Sequence, residues 1–163
     1  MTISRISCFL ALFTAVILPA CAQTDVRKEI ISTKNAPAAI GPYSQAIRTG
    51  NMLFLSGQIP IDPETNQPMA DATIEKQTKL VIENLRAVLE ANGMTLGDVV
   101  STQVFMKDLN EFSRMNAVYG AYFNEKPPAR ATVEVARLPR DVKIEIAAIA
   151  VKKRGSDQEG KGR

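Results

Sequence analysis

Histidine is absent from all 163 residues of the chain. Without an imidazole there is no Ser-His-Asp or Cys-His catalysis, no HExxH zinc site and no zinc-deaminase site. Cysteine is nearly absent: Cys8 and Cys21 are the only two, and both fall within the first 21 residues. A disulfide framework, an Fe–S cluster and a Cys-rich zinc site are thereby excluded from the folded body. A strong charge of one sign is missing as well. Of the formal +3, Arg5 supplies one unit, and the tail 152–163, with five basic and two acidic residues, supplies three. The stretch 22–151 is left at −1. A near-neutral body lacks the basic surface of a nucleic-acid binder. What is present is ordinary for one soluble domain with a real core: 45% hydrophobic and 23% charged residues. Chemistry on such a chain must run on carboxylates, Arg, Lys, Tyr, hydroxyls, backbone groups or a bound cofactor.

Arg5 is followed by an apolar stretch without charge, residues 6–20, of 15 residues, shorter than the roughly 20 of a bilayer-spanning helix. A basic start, an apolar stretch and small residues at its end read as a secretory signal over 1–22. Leu18-Pro19-Ala20-Cys21 resembles a bacterial lipobox, with Cys21 as the lipidated residue. Ala20-Cys21-Ala22 equally fits ordinary cleavage after Ala22. Either route predicts an exported protein, periplasmic or anchored to the membrane through Cys21 alone. Residues 23–30 are expected to be a tether, 31–153 the domain and 154–163 a disordered basic tail.

The domain reads as strand, strand, helix, strand, helix, strand, strand. Residues 43–48 and 52–56 flank Thr49-Gly50-Asn51, a sequence suited to a tight hairpin turn. A helix is predicted from 71 or 73 to 92, with Ile74, Val81, Leu85, Val88 and Leu89 on one face and Gly93 as its stop. A strand follows at 99–106. Asn110 is the expected N-cap of a second helix, whose apolar stripe is Phe112, Met115, Tyr119, Tyr122 and Phe123. Strands at 130–137 and 142–151 close the chain, joined by Leu138-Pro139-Arg140-Asp141 as a short hairpin. The class is α+β, one mixed sheet with two helices on one face. The last strand is apolar on both faces except at Lys143 and Glu145. Two helices cover only one face, so a second subunit is expected over the other.

Glu145 on its own reads as a solvated glutamate at the sheet rim, and Arg130 as a surface arginine paired with some carboxylate. The expected hairpin would oppose 130 and 145, bringing a cation and a carboxylate to one place. Such a pair could hold an anionic substrate and a water, since the planar fork of Arg binds a carboxylate in bidentate fashion.

Pro128-Ala129-Arg130-Ala131-Thr132-Val133, Val135-Ala136-Arg137-Leu138-Pro139 and Ile144-Glu145-Ile146, at this spacing, resemble the signature of the RidA (YjgF-like) family. The stretch from Asn35 to Ala46, Ser56-Gly57-Gln58-Ile59-Pro60, and 104–109 with 115–119 are similar to its other motifs. Ordered motifs over about residues 30–153 are far more specific than any one of them. The resemblance implies a chorismate mutase-like fold and a homotrimer with clefts between subunits. It implies hydrolysis of 2-imino and enamine acids to 2-keto acids and ammonia, with no metal or organic cofactor. Arg130 would hold the substrate carboxylate and Glu145 would activate water. Tyr43, Ser56, Gly57, Asn116 and Thr132 would line the cleft, Thr132 standing where many bacterial members carry Cys. An imine carbon is already electrophilic, so the missing histidine is no obstacle. The competing expectations are a non-catalytic trimer that binds small carboxylates or acts as a periplasmic chaperone, and a ribonuclease. The body charge and the lack of histidine argue against the last.

Overall fold

The computed structural model describes residues 27–152. The expected signal with Cys21, most of the tether and the basic tail lie outside the described residues. Among the described residues no helix is long and apolar enough to cross a membrane.

Six strands form one sheet: β1 (Lys28–Ile31), β2 (Ala46–Thr49), β3 (Met52–Gln58), β4 (Val99–Met106), β5 (Ala129–Glu134) and β6 (Ile144–Val151). Their order is β1-β2-β3-β6-β4-β5, and every pairing is antiparallel except β4 with β5. Helix α1 (Ile74–Ala91) leads from β3 towards β4, and α2 (Phe112–Tyr122) connects β4 to β5. Lys28–Ile30, expected in the tether, are already strand.

The local signals act as expected at two turns. Thr49 pairs with Met52, so Gly50-Asn51 is a two-residue hairpin loop, and Gly50 takes φ 58 as such a loop demands. Gly93 takes φ 63 after α1, and the amides of Gly93 and Met94 bond back to Glu90 and Leu89, closing the helix end. The second helix starts differently from the expectation. Asp108, not Asn110, is the capping side chain: it accepts from the Asn110 amide at 2.8 Å and begins a 3-10 turn, Leu109–Glu111, that runs into α2. A carboxylate does this better because it also meets the positive end of the helix.

The core lies between the helices and one sheet face. Ile74, Val81, Ile82, Leu85 and Leu89 of α1 and Met115 of α2 are buried against Leu53, Val104, Met106, Ile144 and Ile146. Burial of each such side chain contributes about 1.5–3 kcal/mol.

The closing hairpin is not formed. β5 and β6 do not pair; β4 runs between them. Residues 135–143 arch over the end of β4, where the Val135 amide donates to the Met106 carbonyl and the Lys107 amide to the Lys143 carbonyl. Arg140 and Asp141 turn the arch with φ of 60 and 56, and Arg137 grips the Asp141 carboxylate at 2.8 and 3.0 Å. The reason is in the strands themselves. β6, apolar on both sides, takes a central position, whereas β5, largely exposed, takes an edge.

Among the described residues no α-helix packs on the other sheet face. Ile30, Ile47, Phe54 and Ile149 form one row across four strands, and Phe105 and Val133 lie in another. Ile30 is 68% and Phe54 40% exposed. In this the amphipathicity of the last strand was read correctly: one face is covered and an apolar one is left open.

Candidate active site

The expected site residues separate into two groups on opposite faces of the sheet. Glu145 pairs with Phe105 of β4 and so projects from the open face. Arg130 pairs with Thr102, a buried residue of the core, and projects from the helix-covered face. With β4 between their strands and three residues of offset, their Cα atoms are about 14 Å apart by strand geometry. The expected meeting of 130 and 145 across a hairpin is therefore overturned within one chain.

On the open face, Tyr43, Ser56, Gly57 and Glu145 line a cleft of about 280 Å³ together with Ile40, Ile59 and Pro139. Its geometry depends on a bulge. β3 pairs regularly with β6 up to Leu55 and resumes at Gln58, so Ser56 and Gly57 leave the ladder register. Ser56 is fixed there: its amide donates to the Gln45 carbonyl at 3.0 Å and its hydroxyl to the Ser44 carbonyl at 2.6 Å. The bulge carries the Gly57 backbone onto the Glu145 carboxyl group. A Cβ at Gly57 would run into Glu145 Oε1 and lie 2.8 Å from its Cδ. Gly57 is thus required by close approach, not by a left-handed backbone. Tyr43 stands at the mouth, 47% exposed, with its hydroxyl accepting from the Ile40 amide at 3.2 Å. Glu145 has no ion pair or hydrogen bond to any described residue, and burial alone pushes its carboxyl above the ordinary glutamate range. A carboxyl raised in this way holds a proton more readily than an ordinary glutamate, which suits it to take and return one.

On the helix-covered face, the Arg130 guanidinium donates through Nη2 to Asn116 Oδ1 at 2.7 Å. It lies over the Tyr119 ring at 4.5 Å and the Phe112 ring at 5.6 Å. No described carboxylate pairs with it. Thr132, two residues along β5, shares this face. Its hydroxyl oxygen is buried and lacks a hydrogen-bond partner among the described residues. Such a group is costly unless something supplies the partner.

The structure thus brings Tyr43, Ser56, Gly57 and Glu145 together, brings Arg130, Asn116 and Thr132 together, and keeps the two sets apart. Sequence reasoning missed Ile40, Ile59 and Pro139 as cleft walls. It also placed Phe112 and Tyr119 in the core stripe without their position beneath Arg130. The signal for Tyr119 was its spacing, three residues after Asn116 on one helix face. Among the described residues no group of acidic side chains is placed to hold a metal ion.

The model of the family described as "Endoribonuclease L-PSP" matches residues 33–152. A protein of Escherichia coli (strain K12) named 2-iminobutanoate/2-iminopropanoate deaminase is 53% identical over 126 residues, which is 76% of this chain and 97% of that one. Among solved structures, the YjgF gene product of E. coli is 52% identical with a TM-score of 0.73, covering 77% of this chain and 99% of that one. E. coli TdcF with bound serine is 46% identical with the same TM-score, covering 77% and 99%.

Proposed function

Since the chain belongs to the endoribonuclease L-PSP family, that of the RidA and YjgF proteins, we propose that it hydrolyses 2-imino acids, and the enamines that tautomerise to them, to 2-keto acids and ammonia. The observation that carries the reading is an unmatched pair. Among the described residues Arg130 is a guanidinium without a carboxylate and Glu145 a carboxyl without a cation, and they sit on opposite faces of one sheet. Each face holds half of what the reaction needs. The site is complete where the open face of one copy meets the β5 edge of the next, in a homotrimer with three equivalent clefts. That contact also covers the apolar row of Ile47, Phe54 and Ile149.

In such a cleft the Arg130 fork takes the substrate carboxylate, held in plane by Asn116. The imine carbon then lies over Glu145 of the neighbouring copy. Glu145 removes a proton from a water as the oxygen bonds to that carbon, and the C=N electrons become the nitrogen lone pair. The carboxyl returns its proton to the nitrogen of the tetrahedral adduct; as ammonia leaves, the re-formed Glu145 carboxylate takes the adduct's hydroxyl proton while the oxygen closes the C=O bond, and that proton departs with the ammonia as ammonium. Thr132 offers its unpartnered hydroxyl to the bound acid, and Tyr43 closes the mouth. The iminium carries its own electrophilicity, so the proposal includes no metal and no organic cofactor. Serine bound to the similar TdcF is a ligand with the same carboxylate and α-nitrogen arrangement. Phosphodiester cleavage, the activity in the family's description, would call for a cationic surface that a body of charge −1 does not offer. Export through the leading segment, with Cys21 lipidated or removed, belongs to the same proposal and sets the reaction outside the cytoplasm.

The test is release of keto acid and ammonia when an amino-acid oxidase generates 2-iminobutyrate in situ. The wild-type chain should speed this release and Arg130→Ala should not. Full activity in Arg130→Ala, or none in the wild type, would overturn the reading.

A further inference from the structure

We propose that Tyr119 is a positioning residue: its ring, pinned by Thr102, sets the plane in which Arg130 presents its guanidinium to a carboxylate. The inference rests on the reading of Arg130 as the carboxylate anchor and deepens it. Three observations carry it. The Tyr119 ring lies 4.5 Å beneath the guanidinium carbon, the closer of two aromatic neighbours. Its hydroxyl shares a hydrogen bond of 2.7 Å with Thr102 Oγ1, and both residues are buried. Thr102 is also the β4 residue directly paired with Arg130 on β5. One strand pair therefore fixes both ends of the stack, the ring through residue 102 and the cation through residue 130. The Phe123 ring packs against the Tyr119 ring as well, tilted by 33° with centroids 4.6 Å apart.

A core position needs no phenol. Phenylalanine would fill the same volume without a hydroxyl that must find a partner. The hydroxyl instead stops the ring from sliding or turning under the cation. A free arginine side chain samples many rotamers, and a bidentate grip on a carboxylate needs one of them. The ring face and Asn116 Oδ1 restrict the guanidinium from two directions. Burial keeps the phenol in its neutral form, raising its pKa, so the platform adds no charge that would compete with the substrate.

The experiment is calorimetric titration of the assembled wild-type protein and its variants with 2-ketobutyrate, the keto-acid product, and with its uncharged amide. Tyr119→Leu should weaken 2-ketobutyrate about tenfold and leave the amide unchanged. Tyr119→Phe and Thr102→Val should each cost about two- to threefold, and together no more than either alone. In an Arg130→Gln background Tyr119→Leu should add nothing. Loss of acid and amide binding alike, or an undiminished Tyr119→Leu effect in that background, would overturn the inference and mark Tyr119 as core alone. If Tyr119→Leu does not fold, Tyr119→Phe and Thr102→Val carry the same cycle. A wild type that binds 2-ketobutyrate but turns over no imine ends the deaminase reading while the cycle still decides on Tyr119. A wild type that binds neither probe overturns both.

Discussion

The two faces of the sheet are built from the same strands yet solve different problems. The helix-covered face is finished within one chain: Leu53, Val104, Met106, Ile144 and Ile146 meet α1 and α2 with no exposure above 1%. The open face carries a comparable run of apolar side chains: Phe105 is partly covered by Ile59, Ile61, Leu138 and Val142, whereas Ile30, Phe54 and Val133 stay 68%, 40% and 45% exposed among the described residues. The chemistry follows this division. Arg130 belongs to the rim of the finished face and takes its order from aromatic rings and an amide. Glu145 belongs to the open face and takes its raised pKa from a cleft that only partly encloses it. A single strand, β4, separates them.

The comparison can be broken most sharply at Arg130. Arg130→Ala removes the fork proposed for the substrate carboxylate, and kcat/KM for 2-iminobutyrate should fall about a thousandfold or more with the melting temperature little changed. Gly57→Ala is next. Its Cβ meets the Glu145 carboxyl, and displacement of a catalytic group by about 1 Å costs on the order of a hundredfold in rate. A crystal structure of that variant should show Glu145 turned away from the bulge. A third change works on the finished face. Leu89→Ala leaves a cavity under α1 and should lower unfolding stability by about 2–5 kcal/mol in a denaturant titration, while the specific activity of the remaining folded protein stays near wild type. Phe54→Lys does the converse, placing charge on the open face, and should shift the assembly to smaller species in sedimentation with little effect on the fold of each protomer.

The pH dependence of activity sharpens the contrast further. Glu145 acts as a base only when ionised, and burial raises its pKa. The ionised fraction therefore grows as pH rises through that raised value, so kcat/KM should climb with pH along an acid limb lying above the ordinary glutamate range. Glu145→Gln should lower the rate and erase the limb. The smallest effect belongs to the exposed pair of Glu75 and Arg114 that ties α1 to α2 at 2.7 Å. The guanidinium holds the Glu75 carboxyl at about 2, from an ordinary value of 4.5. A lowered pKa means stability that is complete above about 4.5 and is lost as pH falls towards 2. Glu75→Gln should thus lower the melting temperature slightly at pH 7 and not at all at the acid end.

Local chemistry made much of the fold legible in the sequence. The hairpin around Gly50, the face of α1 and its stop at Gly93 each depend on a few neighbouring residues, and each formed as read. The end of the chain did not. Whether 130–137 and 142–151 pair with each other or with something between them is decided by long-range burial, and a two-sided apolar strand such as β6 prefers neighbours on both sides. Family resemblance grouped Arg130 with Glu145, whereas hairpin geometry grouped them for the wrong reason. Gly57 was legible as a special glycine, but its partner at the bulge was not, because nothing in the sequence brings residue 57 against residue 145.

Shared clefts are tested most directly by mixing two inactive proteins. Arg130→Ala and Glu145→Gln chains, unfolded together at equal concentrations and reassembled, should recover about a quarter of wild-type deaminase activity, because one cleft in four then receives Arg130 from one copy and Glu145 from its neighbour. Recovery no greater than the sum of the two separate variants would contradict a site divided between copies.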